Sequence, residues 1–152
     1  MSRETRKAED ERTVLGGFLE RSGVQIDRAS IRSGNAALNE PDLICMYVGG
    51  GDVGFELCRL TDPNLRRSVN RWEPVNGEYV RTCDPSAEIA RRKLEKTYSV
   101  QFPVQLLLYK ESPIITPDNI IILTIKPLCG RRHGYTTVWF MGKNIEVLYE
   151  RG

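Results

Sequence analysis

A chain of 152 residues, 40% hydrophobic and 28% charged with a formal net charge of +2, has the composition of one ordinary globular domain, able to bury roughly 70% of its unfolded surface. The charge is too mild to announce a nucleic-acid partner by itself, so the placement of the basic residues has to decide. The opening MSRETRKAEDER is charged where a secretory signal needs an apolar run, and IIIL and VQLLLY fall far short of a membrane span, which points to a cytoplasmic protein with no membrane association.

Residues 3 to 22 place Ala8, Val14, Leu15, Phe18 and Leu19 among charges at helical spacing, with Gly23 as a stop, and read as an amphipathic helix. VQIDRASIRSGNAALNE mixes short apolar groups with Ser, Gly and Asn and reads mostly as connection. Leu43 to Val48 and Val53 to Leu60 are apolar runs around three glycines, the pattern of an antiparallel hairpin. A three-residue loop would pair Val48 with Asp52. That register puts Leu43, Cys45 and Tyr47 on one face with Val53, Phe55 and Leu57, and sends Asp42, Glu56 and Cys58 to the other. Asp42 then lies across from Cys58 and diagonal to Glu56, so two carboxylates converge at one end of the hairpin.

Residues 61 to 82 are polar, with an Asn76-Gly77 turn signal between Trp72 and Tyr79, and form a loop or hairpin excursion. Asp84 and Pro85 look like an N-cap and first helical residue of a helix running to about Tyr98, with Ile89, Ala90 and Leu94 inward. Val104 to Tyr109 has the apolar character of a central strand, apart from Gln105. Residues 116 to 129 combine a helix-opening TPDN with β-branched residues and Pro127, and read as a helix. Thr136 to Met141 and Ile145 to Glu150 form a closing hairpin. The strand, helix, strand succession makes a crossover between parallel strands. The expected architecture is a single α/β domain over residues 1 to 152, with a mixed central β-sheet flanked by helices.

The four cysteines at 45, 58, 83 and 129 form no CxxC pair; Cys45 and Cys58 read as buried thiols, and the pair Cys129/His133 is two ligands short of a zinc site. The chemistry rests instead on the acids. A carboxylate inside a strand is costly unless it is paired, solvated in a cleft or bound to a metal. An ion pair from Glu56 to Arg59 or a loop arginine, with Asp42 capping a turn, is the plain alternative. Two carboxylates sharing a cation would offer hard oxygen ligands suited to Mg²⁺ or Mn²⁺.

PD at 41 to 42, a glycine-bearing turn and GFELCRL at 54 to 60 resemble the PD-(D/E)xK nuclease superfamily, with its restriction-endonuclease-like three-layer core. The resemblance implies that Asp42 and Glu56 hold a catalytic Mg²⁺ or Mn²⁺ and that the substrate is DNA. It implies a supporting glutamate on the first helix, for which Glu20 is the nearest match and Glu11 a weaker one. Where the family usually carries Lys, two residues beyond the second acid, this chain has Cys58. In some members that lysine has moved to a neighbouring helix, and here Lys93 and Lys96 are the candidates, three apart on adjoining positions of one face. Arg66, Arg67, Arg71, Arg91 and Arg92, with Arg131 and Arg132, would line a phosphate-binding rim. His133 reads as an exposed loop histidine, and Trp72 and Tyr79 as hairpin packing. The rival reading is a catalytically degenerate module of the same fold that binds nucleic acid or a protein partner. Family members that act as restriction enzymes often dimerise, so a homodimer is also compatible.

Overall fold

The computed structural model describes residues 2–60, 86–110 and 116–151. Within them the elements are α1 (Arg3–Ser22), β1 (Ile26–Ser33), β2 (Leu43–Tyr47), β3 (Asp52–Leu60), α2 (Ser86–Leu94), β4 (Val104–Lys110), α3 (Asp118–Ile125), β5 (Thr137–Met141) and β6 (Ile145–Glu150), with 3-10 turns at Ala36–Leu38 and Lys126–Gly130. The six strands form one sheet in chain order, β1 to β6. β1, β2 and β3 are antiparallel, β3/β4 and β4/β5 are parallel, and β6 returns antiparallel to β5. The protein is therefore α/β, a mixed sheet between two helical layers.

α1 covers one face of the sheet. Leu15, Phe18 and Leu19 pack on Leu43, Cys45, Val53, Phe55, Leu57 and Leu107, with the Phe18 ring edge-on to Phe55 and Trp139. Gly23 ends it as the sequence suggests, at a left-handed φ of 77°, and the Ser2 hydroxyl caps its start by accepting from the Thr5 N–H. α2 and α3 cover the other face, where Ala90, Leu94, Ile121 and Ile125 meet Cys58, Leu60, Leu106, Leu108, Val138 and Phe140. The alternation along β3 thus sends residues 53, 55 and 57 to α1, and residues 56, 58 and 60 to α2. Gln105, the polar exception of β4, is satisfied on both ends: it donates to the Tyr47 hydroxyl and accepts from the Trp139 indole.

Three details differ from the sequence reading. Residues 26 to 33, expected to be connection, form β1, an edge strand with only Ile26 buried. Its pairing with β2 shifts between Asp27 and Arg32, and the Ser30 hydroxyl, accepting from the Met46 N–H at 2.8 Å, bridges the irregularity. The β2/β3 hairpin pairs Leu43 with Phe55 and Met46 with Asp52. This is two residues from the expected register, so the faces are kept while Asp42 moves from opposite Cys58 to the Glu56 end of the ladder. α2 ends at Leu94, not near Tyr98. Asp84, Pro85 and the 61 to 82 excursion lie outside the described residues. Among the described residues no helix is long and apolar enough to cross a membrane.

Candidate active site

Glu56 is fully buried in the middle of β3, pointing toward α2. Lys93 and Lys96 both donate to its Oε2, at 2.7 and 2.8 Å. The Asp42 N–H donates to Oε1 at 3.1 Å, and the Leu57 N–H donates to Asp42 Oδ2 at 2.9 Å. Where the backbone ladder between β2 and β3 gives out, the two acids therefore cross over and satisfy each other's strand.

Pro41 is held in place by two glycines. The Gly34 N–H donates to the Asp42 carbonyl at 2.9 Å, and a Cβ at Gly34 would overlap the Pro41 carbonyl oxygen. A Cβ at Gly54 would come within 2.5 Å of the Pro41 ring. Gly54→Ala should lower stability by about 2 kcal/mol, read as a thermal midpoint about 4–8 °C lower. An unchanged midpoint would mean that Pro41 yields freely and does not fix Asp42.

α1 forms the opposite wall. Glu4, Lys7, Ala8 and Glu11 occupy one helical stripe, the same stripe that continues into the core as Leu15, Phe18 and Leu19. Two adjoining hollows of about 420 and 410 Å³ share Lys7, Glu11 and Asp42. One extends to Lys96 and the loop at Gly34, the other to Lys93, Cys58, Arg59 and Tyr109. Glu20 stands exposed near the far end of α1, so the helix brings Glu11 to the cleft and not Glu20.

The electrostatics divide the three acids. Burial alone would raise the Glu56 carboxyl, but the hydrogen bonds and charges of Lys93 and Lys96 outweigh it and hold the group below its ordinary value. Burial and the Glu56 charge raise Asp42, against the lowering effect of the Leu57 N–H. Burial, followed by the Asp42 charge, lifts Glu11 to about 7. Glu11 Oε1 lies 3.8 Å from Lys7, whereas Oε2 is buried and meets no hydrogen-bond donor among the described residues. Cys58 is pushed up to about 12 by burial, so its thiol supplies no charge; the ammoniums beside Glu56 are those of Lys93 and Lys96.

Of the arginines, Arg91 is clamped between Glu88 at 2.5 Å and Glu95 at 2.7 Å. It lines a separate recess with Arg131, Arg132 and His133. Arg92 shares Glu88 with it at 3.1 Å and is largely exposed. Arg66, Arg67, Arg71, Trp72 and Tyr79 lie outside the described residues. His133 is part-buried and structural: its Nδ1 accepts from the Tyr135 N–H, so Nε2 carries the hydrogen and donates to the Cys129 carbonyl. The Cys129 thiol donates to the Ile125 carbonyl, which accounts for the CxxxH spacing without a metal. Among the described residues no three His, Cys, Asp or Glu side chains are grouped so as to hold an ion.

Comparison of the chain with protein-family models, with curated proteins and with solved structures gives no match.

Proposed function

We propose that the chain is a metal-dependent phosphodiesterase of the PD-(D/E)xK type acting on DNA. The observation that carries this reading is the approach of two ammoniums to a strand glutamate, Lys93 from α2 and Lys96 from just beyond it, at 2.7 and 2.8 Å from Glu56 Oε2. The positive charge missing at position 58 is present beside it. Glu11 Oε2, buried without a hydrogen-bond donor among the described residues, and the raised Asp42 carboxyl support the reading of a cation-binding pocket. Its oxygen donors fit Mg²⁺ or Mn²⁺. Asp42 and Glu56 would hold the ion, with Glu11 lining the same hollow, and the ion would supply charge neutralisation at the scissile phosphate and a more acidic water. Glu56 keeps the ammoniums at the cleft, and Lys93 or Lys96 holds the phosphate oxygen or orients the attacking water. Lys7 and Arg59 form the cationic rim on the α1 and β3 sides.

A second reading is favoured by one specific observation. Both Glu56 oxygens already accept hydrogen bonds, Oε1 from Asp42 and Oε2 from the lysines, as in a self-contained ion cluster. A binding module with an inert site would look like this.

Calorimetric titration of Mn²⁺ into wild type and Asp42→Asn separates the two. The hydrolase reading expects binding to wild type and at least about 10-fold weaker binding to the variant, roughly the 1.4 kcal/mol that a tenfold change represents. With Mg²⁺ and DNA, Asp42→Ala should abolish cleavage, and Lys93→Ala or Lys96→Ala should each slow it by about 10²-fold. DNA binding indifferent to divalent ions, with no cleavage by wild type, would leave the module reading standing.

A further inference from the structure

Neither lysine is placed by α2 alone. The helix ends at Leu94, so its last carbonyls have no helical partner and Lys96 lies beyond the final turn. The Lys93 carbonyl is the node at this end. It accepts the Lys96 N–H at 3.1 Å, an i to i+3 closure that tightens the turn and brings both side chains over one carboxylate. It also accepts the hydroxyl of Tyr135 at 2.8 Å. That tyrosine is fully buried and comes from the segment just before β5. Its single hydrogen is used on Lys93, so the Tyr98 hydroxyl, 3.0 Å away, is the donor to Tyr135. The two rings meet edge to face at 5.8 Å, and the Lys96 ammonium stands 5.4 Å from the centre of the Tyr98 ring, within cation–π reach.

We propose that Tyr135 and Tyr98 are positioning residues for the two lysines, Tyr135 acting through the Lys93 carbonyl and Tyr98 through its ring beneath Lys96. This rests on the lysine pair being the cationic half of the site. Neither tyrosine lines the cleft at Asp42 and Glu11, and the Tyr98 hydroxyl also acts on Glu56; the pair governs where the ammoniums stand.

The test is the pair of hydrogen-bonded lysine ammonium signals in ¹⁵N-lysine-labelled protein at mildly acidic pH, assigned with Lys93→Ala and Lys96→Ala. Tyr135→Phe, which removes only the hydroxyl, should broaden or remove both signals while the backbone spectrum and unfolding midpoint stay near wild type. Tyr98→Leu should remove the Lys96 signal and spare that of Lys93. Tyr98→Phe, which keeps the ring, should retain the Lys96 signal. Both signals unchanged in folded Tyr135→Phe and Tyr98→Leu would overturn the proposal, whatever the effect on stability. Because the readout needs no substrate, it stands apart from the functional reading. Lost signals in a protein that never cleaves DNA would support the positioning role and count against hydrolysis, while wild-type-like cleavage and signals in both variants would do the reverse.

Discussion

Glu56→Ala should cost the fold about 3 kcal/mol in urea unfolding at neutral pH, in addition to eliminating the proposed hydrolysis. The carboxylate is the shared partner of two ammoniums and one backbone N–H, and it is buried while they are not: the Lys93 and Lys96 side chains are 31% and 41% exposed. Removing the central charge of a buried pair costs about 3–5 kcal/mol; the lysines' access to water puts this case at the low end. Glu56→Gln keeps the shape and an acceptor for Asp42, so it should lose less, about 2 kcal/mol. It is the better variant for separating chemistry from folding. The pH dependence follows from the direction of the shift. The folded-state value lies below the ordinary 4.5, so the stabilisation is present above that pH and disappears as pH falls through the depressed value. Below about pH 4.5 wild type should lose stability more steeply than Glu56→Gln; parallel acid curves would show that the lysines do not hold the group ionised.

Glu11→Gln should do the opposite and stabilise the protein at pH 8. With the carboxyl lifted from 4.5 to about 7, the folded state binds more protons than the unfolded chain between those values. Wild type therefore loses stability as pH rises through that window. The full shift corresponds to about 3 kcal/mol, which the nearby water and Lys7 reduce to about 1 kcal/mol. A midpoint about 2–4 °C higher at pH 8, with no difference near pH 4.5, is the expected result. Mn²⁺ should then raise the midpoint of wild type more than that of Glu11→Gln. A less stable variant at pH 8 would make Glu11 a structural partner of Lys7 and remove it from the cation site.

The sequence made the acids legible and misjudged their neighbours for physical reasons. The two-residue periodicity of β2 and β3 determines which side chains share a face, so Asp42 and Glu56 were assigned to the same side even with the register displaced. Turn geometry decides the partners, and Gly50 and Gly51, both at positive φ, admit a longer loop than the minimal one. Glu11 carries a signal that proximity to the helix end obscures: it lies one turn before Leu15 on the buried stripe, whereas Glu20 follows Leu19 by a single residue and turns outward. β1 escaped because an edge strand with one buried residue has little apolar alternation to read. Lys93 and Lys96 were identifiable as candidates from their spacing, but their contact with Glu56 depends on how α2 docks. Nothing local to Tyr98 or Tyr135 marks them, since their bond spans 37 residues.

The six strands stand in the sheet in the order in which the chain produces them. No strand has to be threaded between two already paired; each adds at an open edge, so a growing polypeptide can assemble the sheet by accretion, with strand contacts arising between successive elements. The acids arrive with β2 and β3, and the ammoniums with the crossover that follows. During synthesis, then, the carboxylates are made before their counter-charges, and docking the crossover helix and balancing the site are one event.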